Sequence, residues 1–361
     1  MEVNQQCEAL MARAIELARR GIGTTHPNPR VGAVVVNHGE IVGEGWHEIP
    51  GGPHAEVMAL QQAGEKAKGG TIYVTLEPCA AYGRTPPCTA AIKNAGIKHL
   101  VYASSDPNPD MAGGSKVLQA MHVEVTAGVL RAEADELNRP FFHYIKTGRP
   151  YVIGKAAISL DGKLATRSHH SQWITGPESR AHAHAIRAVS DAIIVGAGTL
   201  KDDNPSLTVR DAEQVGDVPL RVALCFDTPV FNPDCKLLSD EAPSRLYVRN
   251  LNEYAQQWRD GGVEVLRADS LLSILQQLGD DGRLQLMLEG GGALHTSFLD
   301  GRITDEMVLY QAPMIIGGRD AVSLWGGHGI ETISQAIRLD QVERVQLGND
   351  QMIRGRVVYP E

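Results

Sequence analysis

The chain has 361 residues, enough for two domains, and 43% of them are hydrophobic, which excludes an intrinsically disordered chain. The net charge is −9, and both residues 1–147 (13 basic, 15 acidic) and 148–361 (21 basic, 28 acidic) are acidic. Neither half therefore has the basic excess of a protein that binds a polyanion.

Apolar runs of about eighteen residues do not occur, so no membrane span is expected. Charged residues interrupt residues 1–21, so we expect no signal peptide.

Strand and helix patterns alternate along residues 4–125. Helices are predicted for residues 4–20, from about 54, from about 88 and over 116–121, and strands for 31–36, 41–46, 71–76, 99–102 and 123–125. Apolar residues three or four apart indicate helices, and β-branched runs bounded by turn residues indicate strands. The alternation predicts an α/β sheet that is covered by helices on both faces.

The turn-rich segment 146–150, Lys-Thr-Gly-Arg-Pro, predicts a boundary between domains 1–147 and 148–361. The alternation then restarts. Strands are predicted for 151–158, 192–195, 221–226, 245–248, 284–288 and 306–310, helices for 177–189, 270–279 and 292–299, and a closing hairpin for 342–347 and 356–359.

The cysteines are few and odd in number: Cys7, Cys79, Cys88, Cys225 and Cys235. Such a set in a long chain without a predicted secretory signal favours reduced thiols and a cytoplasmic location. Cysteines that cluster in the fold are then expected to bind a metal or to take part in catalysis rather than to form a disulfide.

Three short segments predict a catalytic zinc site: His54-Ala-Glu56, Glu77-Pro-Cys79 and Pro87-Cys88. Imidazole and thiolate bind zinc, and a catalytic zinc has three protein ligands and an open position for water, whose pKa the metal lowers to about 7. Glu56, two residues after His54 at a helix start, can carry a proton to a leaving amine. This pattern is typical of zinc-dependent nucleobase deaminases. We therefore predict one Zn²⁺ per chain, bound by His54, Cys79 and Cys88, with Glu56 as the catalytic residue.

Simpler interpretations exist for each residue. His54 alone could be a polar residue at a helix start, and Cys79 and Cys88 alone could be small buried hydrophobic residues. A structural zinc would need a fourth ligand, for which His47 is the nearest candidate. The ordered combination of the three segments favours the catalytic site.

The second half carries two glycine turns that follow predicted strands. Glu289-Gly-Gly-Gly292 precedes a predicted helix, an arrangement that brings backbone N–H groups close to phosphate, and Gly196-Ala-Gly-Thr199 is the other turn. Such turns also serve packing alone. Neither matches Gly-x-Gly-x-x-Gly, so a Rossmann fold is disfavoured.

Nine motifs are distributed over both halves of the chain: His26-Pro-Asn-Pro-Arg-Val-Gly32, His54-Ala-Glu-Val57, Thr75-Leu-Glu-Pro-Cys79, Tyr82-Gly-Arg-Thr-Pro-Pro-Cys88, Asp106-Pro-Asn-Pro109, Ser159-Leu-Asp-Gly162, Ser171-Gln-Trp-Ile-Thr175, Asp203-Asn-Pro-Ser-Leu-Thr-Val-Arg210 and Glu289-Gly-Gly-Gly292. Together they closely resemble the motifs of the bifunctional deaminase/reductases of riboflavin biosynthesis. The eight residues between Cys79 and Cys88, where most nucleoside and transfer-RNA deaminases have two, are the most discriminating feature. The resemblance implies an N-terminal cytidine-deaminase-like α/β/α domain and a C-terminal dihydrofolate-reductase-like α/β domain.

The resemblance also implies two reactions. The first is zinc-dependent hydrolytic deamination of 2,5-diamino-6-ribosylamino-4(3H)-pyrimidinone 5′-phosphate. The second is NADPH-dependent reduction of the ribosyl to the ribityl side chain, which gives 5-amino-6-ribitylaminouracil 5′-phosphate. We expect a cytoplasmic homodimer or homotetramer that acts on this small molecule and binds neither nucleic acid nor membrane.

By the same resemblance, particular residues are expected at the two sites. Deaminase substrate contacts are expected from Asn28, His47 and Arg84; NADPH contacts from Ala157, Trp173, Thr199, Asp203, Gly291 and Gly292; reductase substrate contacts from Lys155, Ser171, Arg187, Leu207, Arg210 and Glu289. Guanidinium binds phosphate in a bidentate manner, so the two reductase arginines are candidate phosphate clamps. The alternatives are a turn role for Asn28, and solvated surface charges for the arginines.

Two departures from the family pattern concern the pockets. Ala80-Ala81 stands where the family often has Ser-His, and His169-His170 replaces a usual Gly and acid before Ser171. The competing interpretations are a zinc deaminase of transfer RNA or nucleosides with an unrelated C-terminal half, and a non-enzymatic module with a structural zinc.

Overall fold

The computed structural model describes residues 2–83, 86–226, 231–327 and 329–360. The chain folds into two compact units, Met1–Gly148 and Arg149–Glu361. The predicted domain boundary, between residues 147 and 148, lies one residue from this division. The assignment of one activity to each domain stays a prediction.

The first unit has a five-stranded sheet, in the order β2-β1-β3-β4-β5, in the part of the chain that the structure describes. Strand β1 is antiparallel to both neighbours, whereas β3, β4 and β5 are parallel. The strands are β1 (Gly32–Asn37), β2 (Glu40–Trp46), β3 (Thr71–Leu76), β4 (His99–Ser104) and β5 (Glu124–Ala127); the helices are α1 (Glu2–Arg19), α2 (Ala55–Ala63), α3 (Cys88–Asn94), α4 (Gly114–Ala120), α5 (Arg131–Leu137) and α6 (Arg139–Thr147).

Both faces of this sheet are buried, because alternate residues of each strand point to opposite sides. On β1, Val34 packs with Met11 of α1 in one apolar cluster, and Val35 packs with Ala59 of α2 in the other. Helices thus cover both faces of the sheet, as the alternating pattern predicted.

The second unit has a nine-stranded sheet, in the order β10-β9-β8-β7-β11-β6-β12-β14-β13, over the described residues. The seven strands from β10 to β12 are parallel, and β14 and β13 are antiparallel to their neighbours. The strands are β6 (Tyr151–Ile158), β7 (Ala192–Gly196), β8 (Leu220–Leu224), β9 (Ser244–Val248), β10 (Glu264–Arg267), β11 (Gln285–Leu288), β12 (Glu306–Gln311), β13 (Arg338–Leu347) and β14 (Asp350–Val358); the helices are α7 (Pro177–Ala188), α8 (Ala197–Asp203), α9 (Glu253–Asp260), α10 (Leu271–Asp280) and α11 (Gly292–Asp300).

The two predicted glycine turns of this unit lie side by side. Strands β7 and β11 are adjacent and parallel, so α8 and α11, which follow them, begin at the same edge of the sheet. The backbone N–H of Gly291 donates a hydrogen bond of 3.1 Å to Oγ1 of Thr199. This contact joins the turn after β11 to the helix after β7.

Most predicted elements are confirmed, including β3 and β6 with both of their ends. The sequence prediction missed α5, α6, α8, α9 and β10. Residues of helix α8 were interpreted only as a glycine turn, because Gly198 lowers the helix propensity of this segment. In the structure the buried side chain of Leu200 packs the helix against the sheet. Strand β10 lies at the sheet edge and buries only Val265, so its apolar alternation is weak.

No helix in the described ranges is long and apolar enough to cross a membrane.

A substitution at Gly32 tests the packing of α1 on β1. A Cβ at Gly32 would overlap the backbone carbonyl oxygen of Ala14 in α1. We expect Gly32→Ala to lower the free energy of unfolding by about 1–3 kcal/mol, because a helix backbone cannot yield as a side-chain tip does. Urea unfolding followed by circular dichroism measures this. Gly198→Ala is the control, since its methyl meets no atom within 4 Å; an unchanged midpoint for Gly32→Ala would contradict the packing.

Candidate active sites

Three elements of the first unit bring His54, Cys79 and Cys88 together. His54 is the extended residue just before α2, Cys79 follows the carboxyl end of β3, and Cys88 is the first residue of α3. Their candidate ligand atoms all lie within 4.8 Å of one another. Nδ1 of His54 is 3.1 Å from Sγ of Cys88 and 3.7 Å from Sγ of Cys79. The structure therefore places the three predicted ligands around one point.

The segment that carries Cys79 is fixed by Glu77 and by close packing. The buried carboxylate of Glu77 accepts hydrogen bonds from the backbone N–H of Ser115 at 3.1 Å and from its hydroxyl at 2.6 Å. A methyl group on Gly114 would overlap the carbonyl oxygen of Pro78, so the start of α4 lies directly against this segment. The backbone N–H of Cys88 donates to Sγ of Cys79 at 3.2 Å. These contacts hold the two sulfurs in place.

The electrostatics of the cluster favour one charged sulfur. Hydrogen bonds from the Cys88 side chain and from His54 lower the pKa of the Cys79 thiol to about 4. The hydrogen bond to Cys79 raises the pKa of His54. An imidazole nitrogen and two cysteine sulfurs form a donor set that zinc prefers. The residues present therefore fit a zinc ion with three protein ligands.

Glu56 and His47 lie near the three proposed ligands and line the same cavity. Glu56 is only 4% exposed, and its burial raises the pKa of its carboxyl group. Nδ1 of His47 is 3.0 Å from the carbonyl oxygen of Pro53, and its Nε2 is 2.9 Å from Nδ2 of Asn28. Among the described residues His47 is not part of the metal-ligating cluster, so the fourth ligand of a structural zinc is not found there.

A cavity of about 170 Å³ opens beside this cluster. Its described lining includes the predicted residues Asn28, His47, His54, Glu56 and Cys79. The amide of Asn28 is oriented by His47 toward the same space that Glu56 borders. Arg84, the remaining predicted substrate contact, lies outside the described residues.

Besides Glu77, sequence reasoning missed two polar residues of this cavity, Asp106 and Asn108. Both follow β4, the parallel neighbour of β3, so they lie at the edge where Cys79 lies. Burial raises the pKa of Asp106 to about 6, and its carboxylate accepts a hydrogen bond from the backbone N–H of Asn108 at 2.9 Å. The motif Asp106-Pro-Asn-Pro109 was visible in the sequence; its position after β4 was the signal for a site role.

In the second unit, a cleft of about 660 Å³ contains all twelve predicted residues of the reductase site. They are Lys155, Ala157, Ser171, Trp173, Arg187, Thr199, Asp203, Leu207, Arg210, Glu289, Gly291 and Gly292. The cleft lies at the carboxyl ends of the central parallel strands, where α/β proteins commonly bind ligands.

Glu289 lies between two cations in this cleft. Its carboxylate accepts hydrogen bonds from Nε and Nη2 of Arg187, the latter at 2.8 Å, and Nζ of Lys155 is 3.5 Å away. Burial opposes ionisation of this carboxyl group, but Arg187 and Lys155 hold its pKa well below the ordinary value. Arg187 also donates to the carbonyl oxygen of Thr208 at 2.8 Å, whereas Arg210 is exposed, so Arg210 is the more accessible of the two candidate phosphate clamps.

The space between the glycine turns suits a nucleotide cofactor. A Cβ on Gly198 would meet no atom within 4 Å, and one on Gly291 only Thr199 at 3.9 Å, so both α-carbons border open space. A pyrophosphate can then approach the backbone closely. Asp203 ends α8 beside this space, and its Oδ1 is 3.4 Å from the Ser171 hydroxyl. Burial raises the pKa of Asp203. The residues therefore fit NADPH.

His169-His170, the second departure from the family pattern, lies at the edge of this cleft. His169 lines the cleft, and its Nδ1 is 3.5 Å from a carboxylate oxygen of Asp202. Within the ranges that the structure describes, the one metal-ligating cluster is His54, Cys79 and Cys88. His169 and His170 do not belong to this cluster.

Two family models match the chain. The cytidine and deoxycytidylate deaminase zinc-binding region matches residues 4–104, and the RibD C-terminal domain matches residues 150–353. Riboflavin biosynthesis protein RibD of Aquifex aeolicus is 46% identical over 346 residues, which cover 95% of this chain and 96% of the relative. The chain belongs to the RibD family. RibD of Escherichia coli is 39% identical over 362 residues, covering 96% and 98%.

Solved RibD structures share the architecture. Acinetobacter baumannii RibD superposes with a TM-score of 0.89 at 38% identity, covering 98% of this chain and 99% of that chain. A diaminohydroxyphosphoribosylaminopyrimidine deaminase/5-amino-6-(5-phosphoribosylamino)uracil reductase from Thermotoga maritima gives 0.86 at 34% identity with the same coverage. The fold prediction, a cytidine-deaminase-like domain followed by a reductase domain, is confirmed.

As a RibD protein, the chain is a bifunctional deaminase and reductase of riboflavin biosynthesis, with zinc and NADPH as cofactors. The first competing interpretation was a zinc deaminase of transfer RNA or nucleosides with an unrelated C-terminal half. The match of residues 150–353 to the RibD C-terminal domain rules it out. The enzymatic assignment also rules out a purely structural zinc module.

Replacement of one ligand tests the zinc assignment. We expect zinc affinity to fall more than about tenfold in Cys88→Ser, because the loss of an outer-sphere partner alone costs about 10–100-fold. Metal analysis of the purified chain after dialysis measures bound zinc per chain. Cys7→Ser, also in the first unit and outside the cluster, is the control. Tightly bound, undiminished zinc in Cys88→Ser would show that the ligands are other residues.

Proposed function

We propose that residues 1–147 deaminate 2,5-diamino-6-ribosylamino-4(3H)-pyrimidinone 5′-phosphate and that residues 148–361 reduce the product with NADPH. The observation that carries the first half is the cluster of His54, Cys79 and Cys88 beside the buried Glu56 in one cavity. The cleft around Glu289, which contains all the residues expected of a reductase, supports the second half.

In the deaminase site, His54, Cys79 and Cys88 would hold the zinc ion. Zinc, when bound, lowers the pKa of a coordinated water and makes it a nucleophile at neutral pH. Glu56 takes up a proton and delivers it to the departing amine, so that water replaces the amine as a carbonyl oxygen and ammonia leaves. Burial of Glu56 keeps bulk water from competing for that proton.

Asn28 is the proposed recognition residue for the pyrimidinone edge. One amide hydrogen is directed at His47 by the 2.9 Å contact, which leaves the amide oxygen and the other hydrogen for the ring. His47 therefore acts by orienting Asn28 as well as by bordering the cavity. Arg84 is proposed to bind the substrate phosphate, on the basis of the family motif alone.

In the reductase site, NADPH, when bound, would supply a hydride to the sugar C1 of the substrate in its open imine form. Lys155, held by Glu289 at 3.5 Å, can donate the proton that the imine nitrogen takes up. Arg210 and Ser171 are proposed to bind the substrate, with Leu207 packing against it. Asp203, Thr199 and the Gly291–Gly292 turn are proposed to contact NADPH, together with Ala157 and Trp173.

We propose further that the enzyme is a cytoplasmic homodimer or homotetramer that binds neither nucleic acid nor membrane. The net charge of −9 disfavours binding to polyanions, and the five cysteines are all free, as expected in a reducing compartment. Light scattering of the purified chain tests the oligomeric state.

Replacement of Glu56 tests the proton transfer. We expect Glu56→Gln to retain zinc but to lose at least about a hundredfold in deamination rate, because glutamine has a similar shape and cannot carry the proton. Ammonia release from the diaminopyrimidinone phosphate measures the rate. Glu48→Gln, an exposed residue eight positions earlier, is the control. Near-normal ammonia release by Glu56→Gln would remove Glu56 from the mechanism.

Replacement of Asp203 tests both the cofactor contact and the independence of the two units. We expect Asp203→Ala to weaken NADPH-dependent reduction of the deaminated aminouracil phosphate at least about tenfold, since a hydrogen bond that the carboxylate would accept from the cofactor is lost. Deamination should be unchanged. Assays of the two half-reactions, with the exposed Asp217→Ala as control, decide this. If Glu56→Gln or Asp203→Ala abolished both reactions in a folded chain, the two activities would be coupled.

A further inference from the structure

The loop that carries Asn28 has few backbone groups by which the rest of its unit can hold it. Asn28 lies between Pro27 and Pro29, neither of which has a backbone N–H to donate. The backbone N–H of Asn28 itself donates to the carbonyl oxygen of Thr25 at 2.7 Å, only three residues away. The first backbone N–H after Asn28 that can join the loop to another element is therefore that of Arg30.

The side chain of Asn138 pairs with the backbone of Arg30. Its Oδ1 accepts a hydrogen bond of 2.7 Å from the backbone N–H of Arg30, and its Nδ2 donates one of 2.8 Å to the carbonyl oxygen of Arg30. A carboxamide has the donor and the acceptor of a peptide group, so it can pair with both backbone groups of one residue as a neighbouring strand does. Because Asn138 is only 2% exposed, water does not compete for these bonds.

Asn138 is itself held by the two helices that it joins. Its backbone N–H donates to the carbonyl oxygen of Ala134 in α5 at 3.2 Å, and its carbonyl oxygen accepts from the backbone N–H of Phe142 in α6 at 2.9 Å. The guanidinium of Arg30 adds a further link, because its Nη1 donates to the carbonyl oxygen of Leu137 at 2.9 Å. The junction of α5 and α6 is thus attached to the Asn28 loop by side chains from both sides.

The same junction borders the cavity beside the proposed zinc ligands. Phe141, in the first turn of α6, lines that cavity together with Asn28, Pro29 and Val31. Asn138 therefore joins two parts of the cavity wall, the Asn28 loop and α6, although it is not among the described lining residues itself.

We propose that Asn138 is a positioning residue of the deaminase, which fixes the backbone of the Asn28 loop where the Asn28 amide can hydrogen-bond to the pyrimidinone edge. This inference rests on the proposed function, in which Asn28 recognises that edge. The contact with His47 at 2.9 Å orients the amide of Asn28, whereas Asn138 determines where the backbone that carries the amide lies. A displacement of about 1 Å in a group that positions substrate can lower the rate about a hundredfold.

Hydrogen–deuterium exchange of the full-length, zinc-loaded chain tests the anchor itself. In Asn138→Ala we expect peptides that contain residues 28–32 to exchange at least about tenfold faster, because the N–H of Arg30 loses its acceptor and opens more often. Asn37→Ala is the matched control. The amide of Asn37 also donates to two backbone carbonyl oxygens of the first unit, but Asn37 is outside the described cavity lining. This control should leave the exchange of residues 28–32 unchanged.

A double-mutant cycle tests whether the anchor acts through Asn28. The specificity constant kcat/KM is measured by ammonia release from the diaminopyrimidinone phosphate for Asn28→Ala, Asn138→Ala and the double variant. We expect each single variant to lose at least about tenfold and the double variant to lie within about twofold of Asn28→Ala, because a displaced loop costs nothing further once the recognising amide is gone. Bound zinc and reduction of the deaminated aminouracil phosphate should be unchanged in Asn138→Ala.

Asn138→Asp replaces Asn138→Ala if the alanine variant does not fold. Aspartate has the shape of asparagine and can accept from the backbone N–H of Arg30, but it cannot donate to the carbonyl oxygen of Arg30. We expect its exchange over residues 28–32 to be faster than in the unaltered chain and its kcat/KM to be lower. The loss in kcat/KM should again disappear in an Asn28→Ala background.

Unchanged exchange over residues 28–32 in the Asn138 variants, losses that multiply in the double variant, or loss of bound zinc overturns the proposal. A purely structural role of Asn138 gives losses that multiply. If the unaltered chain releases no ammonia from this substrate, or if Asn28→Ala loses nothing, the proposed function is contradicted. The exchange measurement is independent of that outcome: faster exchange confined to the loop supports Asn138 as its anchor, and unchanged exchange overturns it.

Discussion

Parallel strands that lie side by side end at the same edge of their sheet, and both sites of this chain depend on that constraint. In the first unit β3 and β4 end together, which places Cys79 beside the segment with Asp106. In the second unit β6, β7 and β11 end together, which places the residues that follow them around Glu289. The chemistry is thus carried by residues that are distant in sequence, while the sheet supplies their relative positions.

The two sites differ in how their polar groups are held. In the deaminase unit Glu77 lies behind the ligands and fixes the backbone near Cys79 through Ser115. In the reductase cleft Glu289 lies on the surface of the site, and its charge is balanced by Arg187 and Lys155. Removal of Glu289 would therefore leave two buried or half-buried cations without their anion, at a cost of several kcal/mol. The first carboxylate supports a rigid metal site, whereas the second fixes the positions of two cations in the cleft.

Much of the zinc site could be predicted from sequence because its ligands are tied to local signals. His54 precedes a helix, Cys79 follows a strand, and Cys88 begins a helix, so each could be placed on an element before any tertiary contact was known. The Arg187–Glu289 pair could not be predicted, since its partners are 102 residues apart and meet only because β11 lies beside β7.

The cleft of the reductase unit differs in charge from the protein around it. Among its described lining residues, five lysines and arginines face three aspartates and glutamates, although the chain as a whole carries −9. A positively charged cleft in an acidic protein attracts small phosphorylated molecules electrostatically. Electrostatic steering should therefore raise the association rate of the dianionic substrate. This effect should decrease at salt concentrations at which the Debye length is shorter than the width of the cleft opening.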